Sequence, residues 1–162
     1  MNSETLMMDT PDVGDPFPDL PLTRSDGSTF DMAEFRGRKL VVFFYPKDDT
    51  PGCTTESKDF SSLLPEFERV GTGVLGISKD PPAKHVRFAA KHGLAVPLAS
   101  DSDPGLSDSL GIWGEKSLYG RKYVGMQRTT YLLDTEGRIA RIWRRVKVKG
   151  HAAEVLAAAQ AL

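Results

Sequence analysis

The densest apolar stretch of the chain, Leu40-Val41-Val42-Phe43-Phe44-Tyr45, has no polar break. A run of this kind predicts a central strand covered on both faces. Gly73 to Ser78 reads as a second buried strand. Between the two, Phe60, Leu63, Leu64 and Phe67 recur at helical spacing and mark one buried stripe. Pro65 lies inside that helix and is expected to kink or split it, because proline deletes a bond to the preceding turn. Asp80-Pro81-Pro82 opens another helix that runs to about His92 and stops at Gly93. A short strand near Val96 to Ala99 and a helix near Pro104 to Leu110 follow. Thr129 to Leu133, a turn at Asp134 to Gly137, and Arg138 to Arg144 make a hairpin. A terminal helix sets Ala152, Val155, Leu156 and Ala159 on one face.

Ahead of the first central strand, residues 1 to 12 are polar and aperiodic and read as a flexible tail. Val13 to Asp19 is an extended lead-in rich in proline and glycine. Leu20 to Leu22 and Ser28 to Phe30 flank the turn signal Ser25-Asp26-Gly27. Asp31 to Phe35 forms one helical turn, ended at Gly37. Strands separated by helices, then a hairpin and a helix, predict the α/β class: a three-layer α/β/α sandwich around a mixed sheet. Residues 13–162 form one domain, with no linker or internal repeat to divide them.

Composition narrows the chemistry. The 21 basic and 22 acidic residues nearly cancel, so charge gives no general pull toward nucleic acid or anionic membrane. Arg138, Arg141, Arg144, Arg145, Lys147 and Lys149 alternate with Ile139, Ile142 and Trp143, the pattern of a solvated strand face. No basic segment followed by an apolar run marks a signal peptide, and no apolar run is long enough to span a membrane. A single cysteine in 162 residues cannot form an internal disulfide. A reducing cytoplasm is the compartment that fits a free thiol best. His85, His92 and His151 share no ligand spacing with that cysteine, and no glycine-rich phosphate loop is present, so neither metal nor cofactor is expected.

The cysteine sits where a strand hands over to a helix, in FYPKDDTPGCTTE. Asp49-Thr50-Pro51 supplies a helix cap followed by proline at the first helical position. Cys53 then falls in the first turn, where unpaired N–H groups and the helix dipole favour a negative sulfur. The thiolate is the reactive form of cysteine. A lone cysteine is more often an inert buried hydrophobe; the proline, threonine and glycine around it tip the balance toward a nucleophile.

The pattern Pro46-x-x-x-Thr50-x-x-Cys53 resembles the active-site signature of the peroxiredoxins, and within them the Q type, or bacterioferritin-comigratory proteins. The resemblance extends through VGDPFPDLPL, LGIWGEKSLYGRKYVGMQRTTYLLD and the terminal helix. It implies a thioredoxin-like fold and a thiol-dependent peroxidase. Cys53 would attack hydrogen peroxide or an organic hydroperoxide and become a sulfenic acid. By the same resemblance Thr50 bonds the sulfur and the peroxide, Pro46 shields the site from water, Arg128 steadies sulfur and departing oxygen, and Glu56 orients Arg128. Without it, Thr50 could be a simple cap, Pro46 loop punctuation and Arg128 a surface residue. Trp113, Tyr119 and Tyr123 read as packing rather than a ligand site.

One part of the pattern is missing. Many Q-type members carry a resolving cysteine five positions after the first, where this chain has Lys58; others carry it in a later helix, and here neither exists. Recycling therefore requires an external thiol such as thioredoxin, a glutaredoxin or glutathione, or a transient Cys53 to Cys53 bond between chains that are otherwise a monomer or weak homodimer. Two readings compete with the peroxidase. A peroxide sensor would pass oxidation from Cys53 to a partner protein, and a binding module would use the scaffold with no chemistry at all.

Overall fold

Residues 10–118 and 120–162 are described by the computed structural model. The strands are β1 (Leu22–Arg24), β2 (Thr29–Phe30), β3 (Lys39–Phe44), β4 (Thr72–Ser78), β5 (Leu98–Ser100), β6 (Trp113–Leu118), β7 (Arg121–Met126), β8 (Thr129–Leu133) and β9 (Ile139–Trp143). The helices are α1 (Pro51–Arg69), α2 (Pro82–His92), α3 (Leu106–Ser109) and α4 (His151–Ala161), with one 3₁₀ turn at Met32–Phe35. Seven strands form one sheet in the order β2-β1-β5-β4-β3-β8-β9, and β6 with β7 makes a separate hairpin. β3, β4 and β5 run parallel, and the remaining pairings are antiparallel, so the sheet is mixed as expected.

β3 lies between β4 and β8 and shows why its sequence is apolar throughout. Leu40, Val42 and Phe44 enter one core with Phe17, Leu106, Leu110 and Tyr131. Val41, Phe43 and Tyr45 enter the other, with Phe60 and Phe67 of α1, Phe88 of α2 and Val155 of α4. The period-two pleat thus feeds two hydrophobic layers from one strand. Gly76 on β4 is fixed by the same packing: a Cβ there would stand 2.6 Å from the ring of Phe43.

Local structure departs from expectation at several points, and the strand expected at Leu20 to Leu22 runs instead from Leu22 to Arg24. α1 runs unbroken through Pro65, which is exposed. Thr50 occupies the cap position of α1 without a side-chain cap bond, and Pro81 rather than Asp80 caps α2. The strand expected near Val96 begins two residues later, at Leu98. The β6–β7 hairpin was not anticipated at all, since Gly, Glu, Lys and Ser dilute its alternation, although Gly120 at φ 77° marks its turn. The expected tail lies largely outside the described residues, as does Tyr119. Among the described residues no helix is long and apolar enough to cross a membrane.

Candidate active site

The register of the central strands builds the site. Phe44 at the end of β3 pairs with Thr129 at the start of β8, so Arg128 arrives beside the loop that carries the chain from β3 into α1. Pro51 is the first residue of α1, which puts Cys53 and Glu56 one turn apart on one face. Arg128 bridges them. Its Nη2 donates to Cys53 Sγ at 3.3 Å, and its Nη1 donates to Glu56 Oε1 at 2.6 Å. Two arms of one rigid fork are used, which a lysine ammonium would not reproduce.

This is an enclosed assembly. Cys53 has 0% exposure and Glu56 1%, while Arg128 keeps a narrow opening to solvent. On its other sides the sulfur belongs to the hydrocarbon layer of Phe43, Tyr45, Phe60 and Leu132. Burial pushes the Glu56 carboxyl up to about 7, and the positive charge and hydrogen bond of Arg128 only partly offset it. Its second oxygen, Oε2, is buried with no partner. Burial alone would pull Arg128 down, but the charges of Glu56 and Cys53 outweigh it and raise the guanidinium above its ordinary value.

Gly52, which the sequence offers only as part of the setting of Cys53, has a steric role. A Cβ at this position would lie 3.1 Å from Arg128 Nη2, so the absent side chain leaves room for the guanidinium to reach the sulfur. Thr50 donates its hydroxyl to the carbonyl of Lys47 at 2.8 Å rather than to Cys53. Pro46 is exposed at the start of the loop. The structure therefore brings Cys53, Arg128 and Glu56 into direct contact, and leaves Thr50 and Pro46 nearby in sequence without a bond to the sulfur. His85 bonds Asp48 rather than the sulfur. Asp48 received no role from the sequence, because its burial depends on that partner 37 positions away.

A sulfur at the start of the helix that leaves the central strand of a mixed, double-faced sheet is the layout of thioredoxin-like thiol proteins. The AhpC/TSA family matches residues 13–142. Peroxiredoxin Bcp of Xanthomonas campestris is 48% identical over 143 residues, covering 88% of this chain and 89% of that protein. Peroxiredoxin Bcp of Bacillus subtilis is 40% identical over 147 residues, with 91% and 94% covered. The solved bacterioferritin comigratory protein of X. campestris, studied for alkyl peroxide reduction, superposes with a TM-score of 0.85 at 45% identity, over 93% of this chain and 98% of that one. Peroxiredoxin Q of that organism has also been solved with serine in place of each of two cysteines. A serine-for-cysteine variant of Xylella fastidiosa PrxQ gives a TM-score of 0.87 at 39% identity, over 93% and 96%. The chain belongs to the AhpC/TSA family, as a peroxiredoxin of the Bcp, or Q, type. It is accordingly a thiol-dependent peroxidase, with a hydroperoxide as oxidant and a thiol as reductant.

Proposed function

We propose that Cys53 is the peroxidatic nucleophile, and the observation that carries this reading is the 3.3 Å contact between its sulfur and the guanidinium of Arg128. The thiolate attacks the distal oxygen of a hydroperoxide. An S–O bond forms, the O–O bond breaks, and the departing oxygen takes a proton to leave as water or an alcohol. Arg128 stabilises negative charge first on sulfur and then on that oxygen, held in place by Glu56. Thr50 has its hydroxyl proton committed to Lys47. It therefore offers lone pairs to the O–H of the incoming hydroperoxide, while Pro46 limits water at the loop.

Hydrogen peroxide and organic hydroperoxides are both substrates in this reading, the latter supported by the alkyl peroxide reduction studied in the X. campestris relative. With Cys53 the sole cysteine, the sulfenic acid condenses with an external thiol. Water is released and a mixed disulfide forms, which a second thiol then resolves. Thioredoxin, a glutaredoxin or glutathione fills that role in a reducing cytoplasm, and the working unit is a monomer or weak homodimer. Stopped-flow oxidation of the reduced protein, followed by the three reductants offered singly, tests this. Cys53→Ser should abolish hydroperoxide consumption with the fold intact, and Thr50→Val and Arg128→Ala should slow oxidation on the order of a hundredfold or more. Consumption by Cys53→Ser at the wild-type rate would overturn the assignment. Steady turnover with any of the three thiols would exclude a single-use sensor.

A further inference from the structure

Behind the loop that delivers Cys53 lies a second polar assembly that takes no part in the chemistry of sulfur. Tyr45, Asp48 and His85 are all buried. The Tyr45 hydroxyl donates to Asp48 Oδ1 at 2.6 Å. His85 Nδ1 lies 2.6 Å from Asp48 Oδ2, and Nε2 lies 3.1 Å from the carbonyl oxygen of Ala99. A carbonyl oxygen only accepts, so Nε2 carries a hydrogen. One more proton occupies the Nδ1···Oδ2 line, since a bare ring nitrogen and a carboxylate would otherwise set lone pair against lone pair. Held on either atom, that proton leaves the Asp48 and His85 pair neutral as a unit. Burial, reinforced by the charge of Asp48, pushes the Tyr45 hydroxyl far above its ordinary range, so it remains a donor.

The assembly anchors one segment. Asp48 belongs to the loop between β3 and α1, whereas Tyr45 is the first residue after β3 and His85 lies within α2. The backbone N–H of Asp48 also donates to Asp80 Oδ2 at 2.6 Å. The next residue, Asp49, stands at φ 63° and accepts from Lys91 at 2.7 Å, with His92 Nε2 at 2.8 Å. Two successive carboxylates thus fasten the loop to the first turn and the end of α2. A polar trio kept only for stability could be replaced by hydrocarbon of similar volume. This one draws a loop carboxylate inward five residues before the reacting sulfur.

We propose that Asp48 and His85 are positioning residues for the peroxidase reaction, fixing the loop so that Thr50 and the first turn of α1 hold Cys53 Sγ against Arg128. The proposal rests on Cys53 being the nucleophile, and its test has an arm that does not. Asp48→Ala and His85→Leu remove the anchor. Asp48→Asn preserves its bonds, because the amide accepts from Tyr45 and donates to neutral Nδ1. Oxidation of Cys53 by hydrogen peroxide should slow on the order of a hundredfold in the first two and stay within about threefold of wild type in the third. Amide hydrogen exchange over residues 46–56 should quicken about tenfold or more in the first two, with β3 and β4 unchanged. If Asp48→Ala does not fold, His85→Asn replaces it; that variant keeps a donor to Asp48, loses the bond to Ala99 and should fall between. Folded anchor-less variants with wild-type exchange over 46–56, or with wild-type oxidation rates, would overturn the proposal. If the wild-type protein consumed no peroxide the nucleophile assignment would fail, and the exchange comparison would still decide whether the pair holds the loop.

Discussion

At Arg128 three demands meet in one side chain. It touches the sulfur, donates to a buried carboxyl group and keeps one edge toward solvent, and each demand depends on the planarity of the guanidinium. Gly52 shares in this without any polar atom. Gly52→Ala places a methyl group where only 3.1 Å is free, at a backbone conformation that alanine adopts readily. Alanine is also the better helix former. The variant should match or exceed wild-type thermal stability while oxidation of Cys53 slows about tenfold, because Arg128 is displaced by a fraction of an ångström. Unchanged oxidation kinetics would show that the guanidinium gives way without loss. Cys53 and its partners were legible because the residues that touch the sulfur come from a local motif and from a strand start with a matching resemblance. Asp48 was not, because nothing local distinguishes it from the neighbouring exposed Asp49.

At the scale of elements, α4 docks through its first residue as much as through its apolar stripe. His151 Nε2 lies 2.8 Å from the hydroxyl of Thr130 on β8, and the ring packs edge-on against Phe60 and Trp143. Burial pulls His151 down to about 4, with Arg128 adding to the shift and Glu154 opposing it. The unfolded chain therefore takes up this proton from about pH 6.5 downward, and the folded chain only near 4. His151 stabilises the fold above pH 6.5, and that contribution drains away as pH falls toward 4. His151→Gln retains a donor toward Thr130 and removes the titration. Urea midpoints should then hold up better at pH 5, relative to pH 7, than in wild type; an unchanged ratio would mean that the ring titrates normally. The alternation in Thr129–Leu133 and the stripe of α1 were readable because two hydrophobic layers demand them. The β6–β7 hairpin was not, because it lies outside the main sheet and its strands carry little of that alternation.

Across the whole molecule His151 is opposed by Glu56. The folded protein holds the Glu56 proton up to about pH 7 while the unfolded chain releases it near 4.5. The stability Glu56 contributes is thus full below 4.5 and lost as pH rises through 7. Between about 4.5 and 6.5 the two slopes have opposite sign and nearly cancel. Asp26, Asp49 and Asp108 are all lowered from 3.8, by Ser28 for Asp26, by Lys91 and His92 for Asp49, and for Asp108 by Lys79 and the Gly105 N–H against the upward pull of burial. They act below that window. Glu56→Gln should leave only the histidine slope, so that stability falls from pH 7 to pH 5, opposite in direction to His151→Gln. Denaturant titrations of the pair at both pH values would test the cancellation, and parallel behaviour of the two variants would refute it.

The lone cysteine, wholly enclosed at the start of α1, has a practical corollary. Any disulfide-linked dimer on a non-reducing gel must join two copies of the same atom, and neither copy can offer it without exposing a sulfur that is buried in the fold. Such a bond forms when the sulfenic acid of one copy condenses with the thiol of the other and water leaves, so the dimer band would count encounters in which both copies are open, and its rate of appearance would follow the product of the two open fractions.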